Sequence, residues 1–175
     1  MDDRFNKWLA WIFKWECVFD KHGNVIAEHD PDDPGGCTKY GLDQRSHPDL
    51  HIESLTKEQA AQIYWNDYWT RSKANLMPLG VGEVIGNIAV NAGIGRASKW
   101  LQKDVGVTVD GNIGPKTLAA VNAANPDMLA NALLQDTEAH YRSIAKGKLA
   151  KFMGGWLNRN NDLRKFIASL SAQDP

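Results

Sequence analysis

The chain has 175 residues, a formal net charge of −1 and a pI of about 6.5. This balance gives no electrostatic footprint for nucleic acid, so we expect no nucleic-acid partner. Hydrophobic residues make up 43 % and charged residues 23 %, which excludes a disordered chain and suits one domain with a sizeable core. No apolar run reaches the ~20 residues of a membrane span, so we expect no stable membrane insertion.

The N-terminal stretch does not have the pattern of a signal peptide. Asp2, Asp3 and Arg4 precede an apolar run that Lys14 interrupts, and no cleavage motif follows. We therefore expect synthesis in the cytoplasm, with release by a separate route.

The first predicted element is a helix over residues 3–19. Its apolar residues recur at helical spacing and define one stripe: Phe5, Trp8, Leu9, Ile12 and Phe13. Glu16 falls on the same stripe. Burial disfavours the ionised form of a carboxyl group, and a carboxyl that keeps its proton can act as a general acid. The alternative is a glutamate at the helix end that turns out to water.

A loop follows over residues 20–37, with a short hairpin predicted at Val25 and Ile26. Its segment DPDDPGG has strong turn chemistry, which can return a second carboxylate opposite Glu16. Two carboxylates that flank a glycosidic bond are typical of glycosidases. The loop offers Asp20, Asp30, Asp32 and Asp33 as carboxylates. A calcium loop is disfavoured, because the ligand spacing of an EF-hand is missing.

The two cysteines, Cys17 and Cys37, lie at the two ends of this loop. A disulfide between them would close the loop, whereas two free thiols are the default in a cytosolic protein. Both alternatives remain open from the sequence. The chain has no Cys-x-x-Cys pair and its histidines are scattered, so we expect no metal and no cofactor.

The rest of the chain predicts mainly α-structure. A short helix is expected at residues 40–45. The long helix that starts at Pro126 is expected to loosen at Gly147 and to break at Gly154-Gly155. Thr56 and Gln59 form a capping-box pattern, Pro115 suits a first helical position, and the apolar stripe of residues 81–92 indicates a central helix. The remaining predicted helices cover residues 57–69, 81–92, 97–105, 115–121, 126–144 and 156–170.

Glu16 and the later segment DPGGCTKYGL at residues 33–42 resemble glycoside hydrolase family 108. This family comprises N-acetylmuramidases that cleave peptidoglycan and often occur as phage endolysins. The order Glu, Asp, Thr is also similar to the catalytic order of phage-type lysozymes. One departure is that Cys17, Val18 and Phe19 stand where the family usually has Gly-Gly-Tyr.

The resemblance implies a lysozyme-like helical domain with a small loop or β-hairpin at the active-site cleft. It further implies a muramidase that hydrolyses the β-1,4 bond between N-acetylmuramic acid and N-acetylglucosamine. Glu16 would protonate the leaving oxygen. Asp33 would stabilise the oxocarbenium-like state or position water, with Thr38 helping to hold that water, and Asp30 is the fallback for the second carboxylate. Candidates for binding sugar rings are Tyr40, Trp69 and Asn91. Alternatives are a lytic transglycosylase that uses the same Glu16, or a non-catalytic wall-binding module.

The second half has a resemblance of its own. Leu101-Gln102, Asp110-Gly111 and Ile113-Gly114-Pro115 resemble the type-3 peptidoglycan-binding region. We therefore expect a single lysozyme-like domain over 1–175, in which a catalytic region (about 5–95) and a peptidoglycan-binding-like region (about 96–165) pack as one unit. Residues 101–118 either contact glycan or serve as scaffold. The expected partner is peptidoglycan, and the expected form is a monomeric phage or prophage endolysin that acts on the wall in the periplasm.

Overall fold

A computed structural model of the chain describes residues 1–29 and 36–172. The structure is 66 % helical, with seven α-helices and two small antiparallel sheets among the described residues. This confirms the prediction of a mainly α, lysozyme-like fold with a small β element. The chain divides into two compact units, Met1–Asn66 and Asp67–Pro175.

The first unit begins with helix α1, Asp3–Glu16. Asp2 caps it, because its Oδ1 accepts a hydrogen bond from the backbone N–H of Phe5 at 2.7 Å. The predicted apolar stripe is buried, and Trp11 is buried with it. The helix ends at Glu16 because Cys17 is extended, with φ −103° and ψ 144°.

Two small sheets follow α1. Strands β1 (Val18–Phe19) and β2 (Val25–Ile26) form the predicted hairpin, which is thereby confirmed. Asp20 holds its turn by accepting backbone hydrogen bonds from His22 at 2.8 Å and Asn24 at 2.9 Å. The second sheet has the order β3-β4-β5 and consists of β3 (Glu28–His29), β4 (Cys37–Lys39) and β5 (Leu42–Asp43).

The short helix predicted at residues 40–45 is wrong. Lys39 pairs with Leu42 across a two-residue turn, and both central residues have positive φ: 55° at Tyr40 and 72° at Gly41. Two successive positive φ values are the requirement of a type I′ hairpin turn, whose twist matches antiparallel strands. Gly41 was the local signal for this turn, but the tyrosine before it is an unusual partner in that conformation.

Helix α2, Lys57–Ile63, has the predicted capping box of Thr56 and Gln59. The predicted helix at residues 57–69 therefore starts as expected. It continues as a π-helix over Tyr64–Thr70, which contains the boundary between the two units. A π-helical stretch is rare and often marks a functional region.

In the second unit, helix α3 (Val81–Ala92) is the central element, as predicted. Every residue from Val81 to Ala89 is buried, and the helix packs on the two helices α4 and α6. Gly93 ends α3 with φ 85°. The other helices of this unit are α4 (Ile94–Asp104), α5 (Pro115–Ala123), α6 (Pro126–Ile144) and α7 (Met153–Ser171), with 3-10 segments at Ala74–Leu76 and Gly147–Phe152.

The break predicted at Gly154-Gly155 is also wrong, because both glycines lie inside α7. The chain leaves regular helix earlier, where Gly147 adopts φ 55°. A glycine inside a helix costs roughly 0.5–1 kcal/mol, which burial of apolar side chains further along can offset. In α7 those buried apolar side chains are Leu163, Ile167 and Leu170.

The two compact units divide after Asn66, whereas the predicted regions divide near residue 95. The packing of the whole chain as one domain stays a prediction. Within the described ranges, no helix combines the length and the apolar character that crossing a membrane requires.

Candidate active site

Glu16 is the last residue of α1, and its side chain is partly buried. Phe13 and Ile12, one turn earlier, are 6 % and 0 % exposed. The position of Glu16 is thus intermediate between a buried carboxyl group and one that turns out to water. The carboxyl group follows a fully buried stripe, yet it keeps access to solvent at the point where the chain leaves the helix.

The β4–β5 turn contacts Glu16 directly. A Cβ atom added at Gly41 would lie 2.7 Å from Cβ of Glu16 and 2.8 Å from the hydroxyl oxygen of Tyr64. Contacts under 3.0 Å essentially do not occur for real Cβ atoms. Only glycine fits at this position, both for this close approach and for its positive φ.

Tyr64 stabilises the same turn by a hydrogen bond. Its hydroxyl donates a hydrogen bond of 3.0 Å to the backbone carbonyl of Tyr40, and its side chain is 1 % exposed. The ring of Phe13 lies 5.5 Å from that of Tyr64 and 5.2 Å from that of Tyr40. From the sequence, Tyr64 was expected only on a helix face. The rule that a buried tyrosine hydroxyl finds a partner could have indicated more.

Thr38 is the middle residue of β4, two residues before this turn. It pairs with Glu28 on β3 and with Asp43 on β5, and directly paired residues project to the same face of a sheet. Two carboxylates, Glu28 and Asp43, therefore flank Thr38 on its face, and neither was predicted from the sequence as a site residue. Asp33 and Asp30, the predicted second carboxylate and its fallback, lie outside the described residues.

Asp43 carries its charge readily. Burial is the largest single influence and acts to raise the pKa of its carboxyl group. The hydrogen bonds from Ser46 and from its own backbone, together with the nearby His47, outweigh burial and hold the pKa below its usual value. The backbone N–H of Ser46 donates to Oδ1 of Asp43 at 2.9 Å. This carboxylate is therefore an anion that stabilises the end of β5.

Tyr40, a predicted sugar-binding residue, borders a cleft of about 540 Å³. Burial and the nearby Cys17 raise the pKa of its phenol, which thus stays neutral. The β1–β2 hairpin forms one wall of the cleft, where Phe19 is 48 % exposed. Other lining residues are Ala10, Phe13, Lys14, Val25 and Lys57.

The structure gives the other two sugar-binding candidates different environments. Trp69 is 0 % exposed. A ring without an exposed face cannot stack on a sugar, so the role predicted for Trp69 is not supported by its position. Asn91 is exposed near the end of α3, and its Nδ2 donates to the backbone carbonyl of Asn87 at 2.8 Å and to the side-chain oxygen of Asn87 at 2.9 Å.

Both cysteines are free thiols, which corrects the disulfide alternative. Burial, followed by the negative charge of Glu16, raises the pKa of the Cys17 thiol to about 12. Burial also raises the pKa of the Cys37 thiol. Both groups are therefore protonated near neutral pH and are poor nucleophiles. No group of three His, Cys, Asp or Glu residues within 1–29 and 36–172 could hold a metal ion.

In the second unit, the predicted glycan-contact segment forms a loop held by Gln102. This side chain is 1 % exposed, and its Nε2 donates to Asp110 Oδ1 at 2.7 Å and to the Asn112 carbonyl at 3.1 Å. Its Oε1 accepts from the Gly111 N–H at 2.7 Å. The hydrogen bond from Gln102 lowers the pKa of Asp110. The Asp110 carboxylate thus has a structural role in its own loop.

The comparisons with known proteins give two family matches along the chain, whose boundary near residue 95 differs from that of the two compact units. Residues 9–93 match the family model described as glycosyl hydrolase 108, and residues 96–161 match one described as a predicted peptidoglycan domain. The chain is similar to the solved structure of Brucella abortus SagA, with 31 % identity, a TM-score of 0.79 and 94 % of each chain covered. No curated protein sequence matches significantly. The chain belongs to the glycosyl hydrolase 108 family and is a glycoside hydrolase that acts on peptidoglycan.

Proposed function

We propose that this peptidoglycan hydrolase is an N-acetylmuramidase, which cleaves the β-1,4 bond between N-acetylmuramic acid and N-acetylglucosamine. The observation that carries the proposal is the contact between Glu16 and the β4–β5 turn. The partly buried carboxyl group of Glu16, at the end of α1, lies against the turn between β4 and β5. Strand β4 is the central strand of the three-stranded sheet and contains Thr38. This arrangement supports the proposal, because Glu16 lies against the turn that directly follows the strand of Thr38.

In the proposed reaction, Glu16 donates its proton to the glycosidic oxygen as the bond from that oxygen to the anomeric carbon breaks. Asp33, as the carboxylate, stabilises the positive charge that develops on the sugar ring. A water molecule held by Thr38 then adds its hydroxyl group to the anomeric carbon and gives up a proton to a carboxylate. Asp30 is the alternative second carboxylate, since it lies three residues from Asp33 in the sequence.

Sugar binding is proposed for Tyr40 and Asn91. Tyr40 borders the cleft beside α1, and aromatic rings suit the apolar faces of sugars. Asn91 is exposed, although its amide nitrogen already has partners on α3. A substitution at Tyr40 should therefore raise KM for glycan more than one at Asn91.

The test of the mechanism is Glu16→Gln, which keeps the shape of the side chain and removes its proton. Loss of a general acid typically lowers the rate by on the order of 10²–10⁴, so clearing of purified peptidoglycan should nearly stop while the melting curve is retained. Glu58→Gln, at an exposed glutamate in the first turn of α2, is the matched control and should clear peptidoglycan like the wild type.

Two outcomes would contradict the proposal. A folded Glu16→Gln protein with near wild-type activity would remove Glu16 from the mechanism. Products one water lighter than hydrolysis products, measured by mass spectrometry, would identify a lytic transglycosylase instead.

We further propose that the enzyme is a phage or prophage endolysin. Its wall substrate lies outside the cytoplasm, so an endolysin depends on a membrane lesion for access. Expression in a bacterial cytoplasm should cause lysis only together with a membrane-permeabilising partner. Lysis at the same rate without that partner would argue against this route.

A further inference from the structure

One short surface segment of the second unit contains no buried residue. The 3-10 segment Gly147–Phe152 follows α6, and none of its six residues is buried. Leu149 is 45 % exposed and Phe152 is 46 % exposed. Residues three apart lie on one face of a 3-10 helix, so Leu149 and Phe152 expose apolar surface side by side, and a contiguous apolar patch can mark a binding site.

The same stretch is strongly basic. The sequence has no Asp or Glu between Glu138 and Asp162, although the chain as a whole carries a net charge of −1. Five cationic residues lie between them: Arg142, Lys146, Lys148, Lys151 and Arg159. The three lysines are exposed, and none forms an ion pair with another described residue.

The acidic residue at the start of this stretch does not neutralise it. An oxygen of Glu138 lies 2.7 Å from a guanidinium nitrogen of Arg164, and the same oxygen accepts a hydrogen bond from Asn160. The charge of Glu138 is therefore paired with Arg164 on α7, so it does not neutralise the three lysines.

Aromatic rings continue the surface onto α7. The ring of Trp156 stacks on Tyr141 with centroids 5.2 Å apart, and Phe152 lies 6.0 Å from Trp156. The ammonium group of Lys151 lies 4.8 Å from the Phe152 ring centroid. Next to them, a Cβ atom added at Gly154 or Gly155 would meet no heavy atom within 4 Å, so this side of the surface is open.

We propose that this basic aromatic surface, made of Lys146, Lys148, Lys151, Phe152 and Trp156, binds the carboxylate-bearing strands of peptidoglycan. The aromatic rings offer faces for sugars, and the lysines pair with the carboxylates of the peptide stems. Charge complementarity and the match of residues 96–161 to a predicted peptidoglycan domain identify the occupant. The proposal deepens the proposed function, because it assigns substrate binding to a second surface outside the cleft that Tyr40 borders.

The experiment measures co-sedimentation of the full chain with insoluble peptidoglycan sacculi, in the Glu16→Gln background so that the sacculi stay intact. One variant replaces Lys146, Lys148 and Lys151 with Gln, and a second is Phe152→Ala. The matched control replaces three other exposed lysines, Lys73, Lys116 and Lys165, and removes the same charge. We expect the first variant to bind roughly tenfold to a hundredfold more weakly than the control, with a smaller dependence on salt.

Further arms separate the possible ligands. Sacculi with amidated carboxyl groups should bind the parent protein about as weakly as native sacculi bind the triple-lysine variant. Binding of the variant equal to that of the control, or tighter binding of the parent to anionic phosphatidylglycerol vesicles than to sacculi, would overturn the proposal. With active Glu16, the triple-lysine change should slow cleavage of sacculi more than cleavage of short soluble glycans. If no protein cleaves glycan, the proposed function fails, while the sedimentation result still decides the binding surface.

Discussion

The two compact units are stabilised in different ways. In Met1–Asn66, strands of two or three residues form the hairpin at Glu16, and a single glycine allows the contact between them. In Asp67–Pro175, α3 is buried over nine successive residues and longer helices pack on it. The first unit thus depends on special backbone geometry at a few positions, whereas the second depends on regular burial. Substitutions should accordingly be most costly at single turn positions in the first unit.

The largest effect is expected for Gly41→Ala. The new Cβ atom would lie 2.7 Å from Cβ of Glu16, an atom that cannot move without α1, and the residue would keep a positive φ. Together the overpacking and the backbone strain should cost about 2–5 kcal/mol in unfolding free energy. Gly23→Ala is the control, because Gly23 also has positive φ but has no atom within 4 Å of an added Cβ. Equal losses in denaturant melts would show that the close approach is unimportant.

Tyr64→Phe should destabilise the first unit by about 1–3 kcal/mol, because the partly buried carbonyl of Tyr40 loses its hydrogen bond. Peptidoglycan cleavage should fall as well, since the turn is no longer held against Glu16. The double variant with Gly41→Ala should lose less than the sum of the two single losses, because Tyr64→Phe removes one of the two clashing atoms. Additive losses in a double-mutant cycle would contradict this geometry.

In the second unit, Gln102→Leu should cost about 1–3 kcal/mol, because the loop at Gly111 and Asn112 loses its buried partner. Gln62→Leu is the control, since Gln62 is exposed and makes one hydrogen bond to Asn66. A loss of unfolding free energy no larger than that of the control would show that the loop does not depend on Gln102.

The same variant has a pH signature. Because Gln102 lowers the folded pKa of Asp110, this carboxyl contributes stability above its unfolded pKa of about 4 and loses it as the pH falls through the lower folded value. The difference in unfolding free energy between wild type and Gln102→Leu should therefore shrink below pH 4. A difference that is constant down to the folded pKa would exclude this coupling.

A small gain is expected for Gly154→Ala. Gly154 is helical and an added Cβ meets open space, so the change should stabilise the protein by about 0.5–1 kcal/mol. Gly147→Ala also meets open space but sits at φ 55°, so it should destabilise instead. Opposite signs in thermal melts would support the helix assignment, and two losses would place the break at Gly154 after all.

The smallest effect concerns the thiols of the first unit. Because Cys17 and Cys37 are free, dithiothreitol should change neither the melting temperature nor the activity. In Cys37→Ser, alkylation of Cys17 near pH 8 should be on the order of a hundredfold to a thousandfold slower than that of an exposed thiol, since its pKa is about 12. A lower melting temperature in the presence of dithiothreitol would show instead that Cys17 and Cys37 form a disulfide.

The helices were largely predictable from the sequence because their signals are local. The apolar spacing of α1 and α3, the capping box at Thr56 and Gln59, and Pro115 at a helix start each involve residues within a few positions of one another. The same holds for the Asp20 turn of the first hairpin. These features need no knowledge of the rest of the chain.

The predictions failed where distant contacts outweigh local preference. Helical propensity after Tyr40 yields to strand pairing between Lys39 and Leu42, and two glycines stay in α7 because later residues of that helix are buried. Trp69 looked like a sugar-binding residue by its type, but the fold encloses it. Burial is a property of the folded chain, so residue type alone could not decide its role.

The sequence by itself determined the family and the mainly α architecture, because these depend on residue identity and spacing, and it led to the proposal of Glu16 and Thr38 as catalytic residues. Only the tertiary structure decided what surrounds Glu16. The hydroxyl of Tyr64 comes from 48 positions further along the chain and the turn at Gly41 from 25 positions further, as their residue numbers show. Their contact requires α1, the hairpin and the end of α2 to pack together, and no local pattern encodes an approach so close that Gly41 has no room for a Cβ atom.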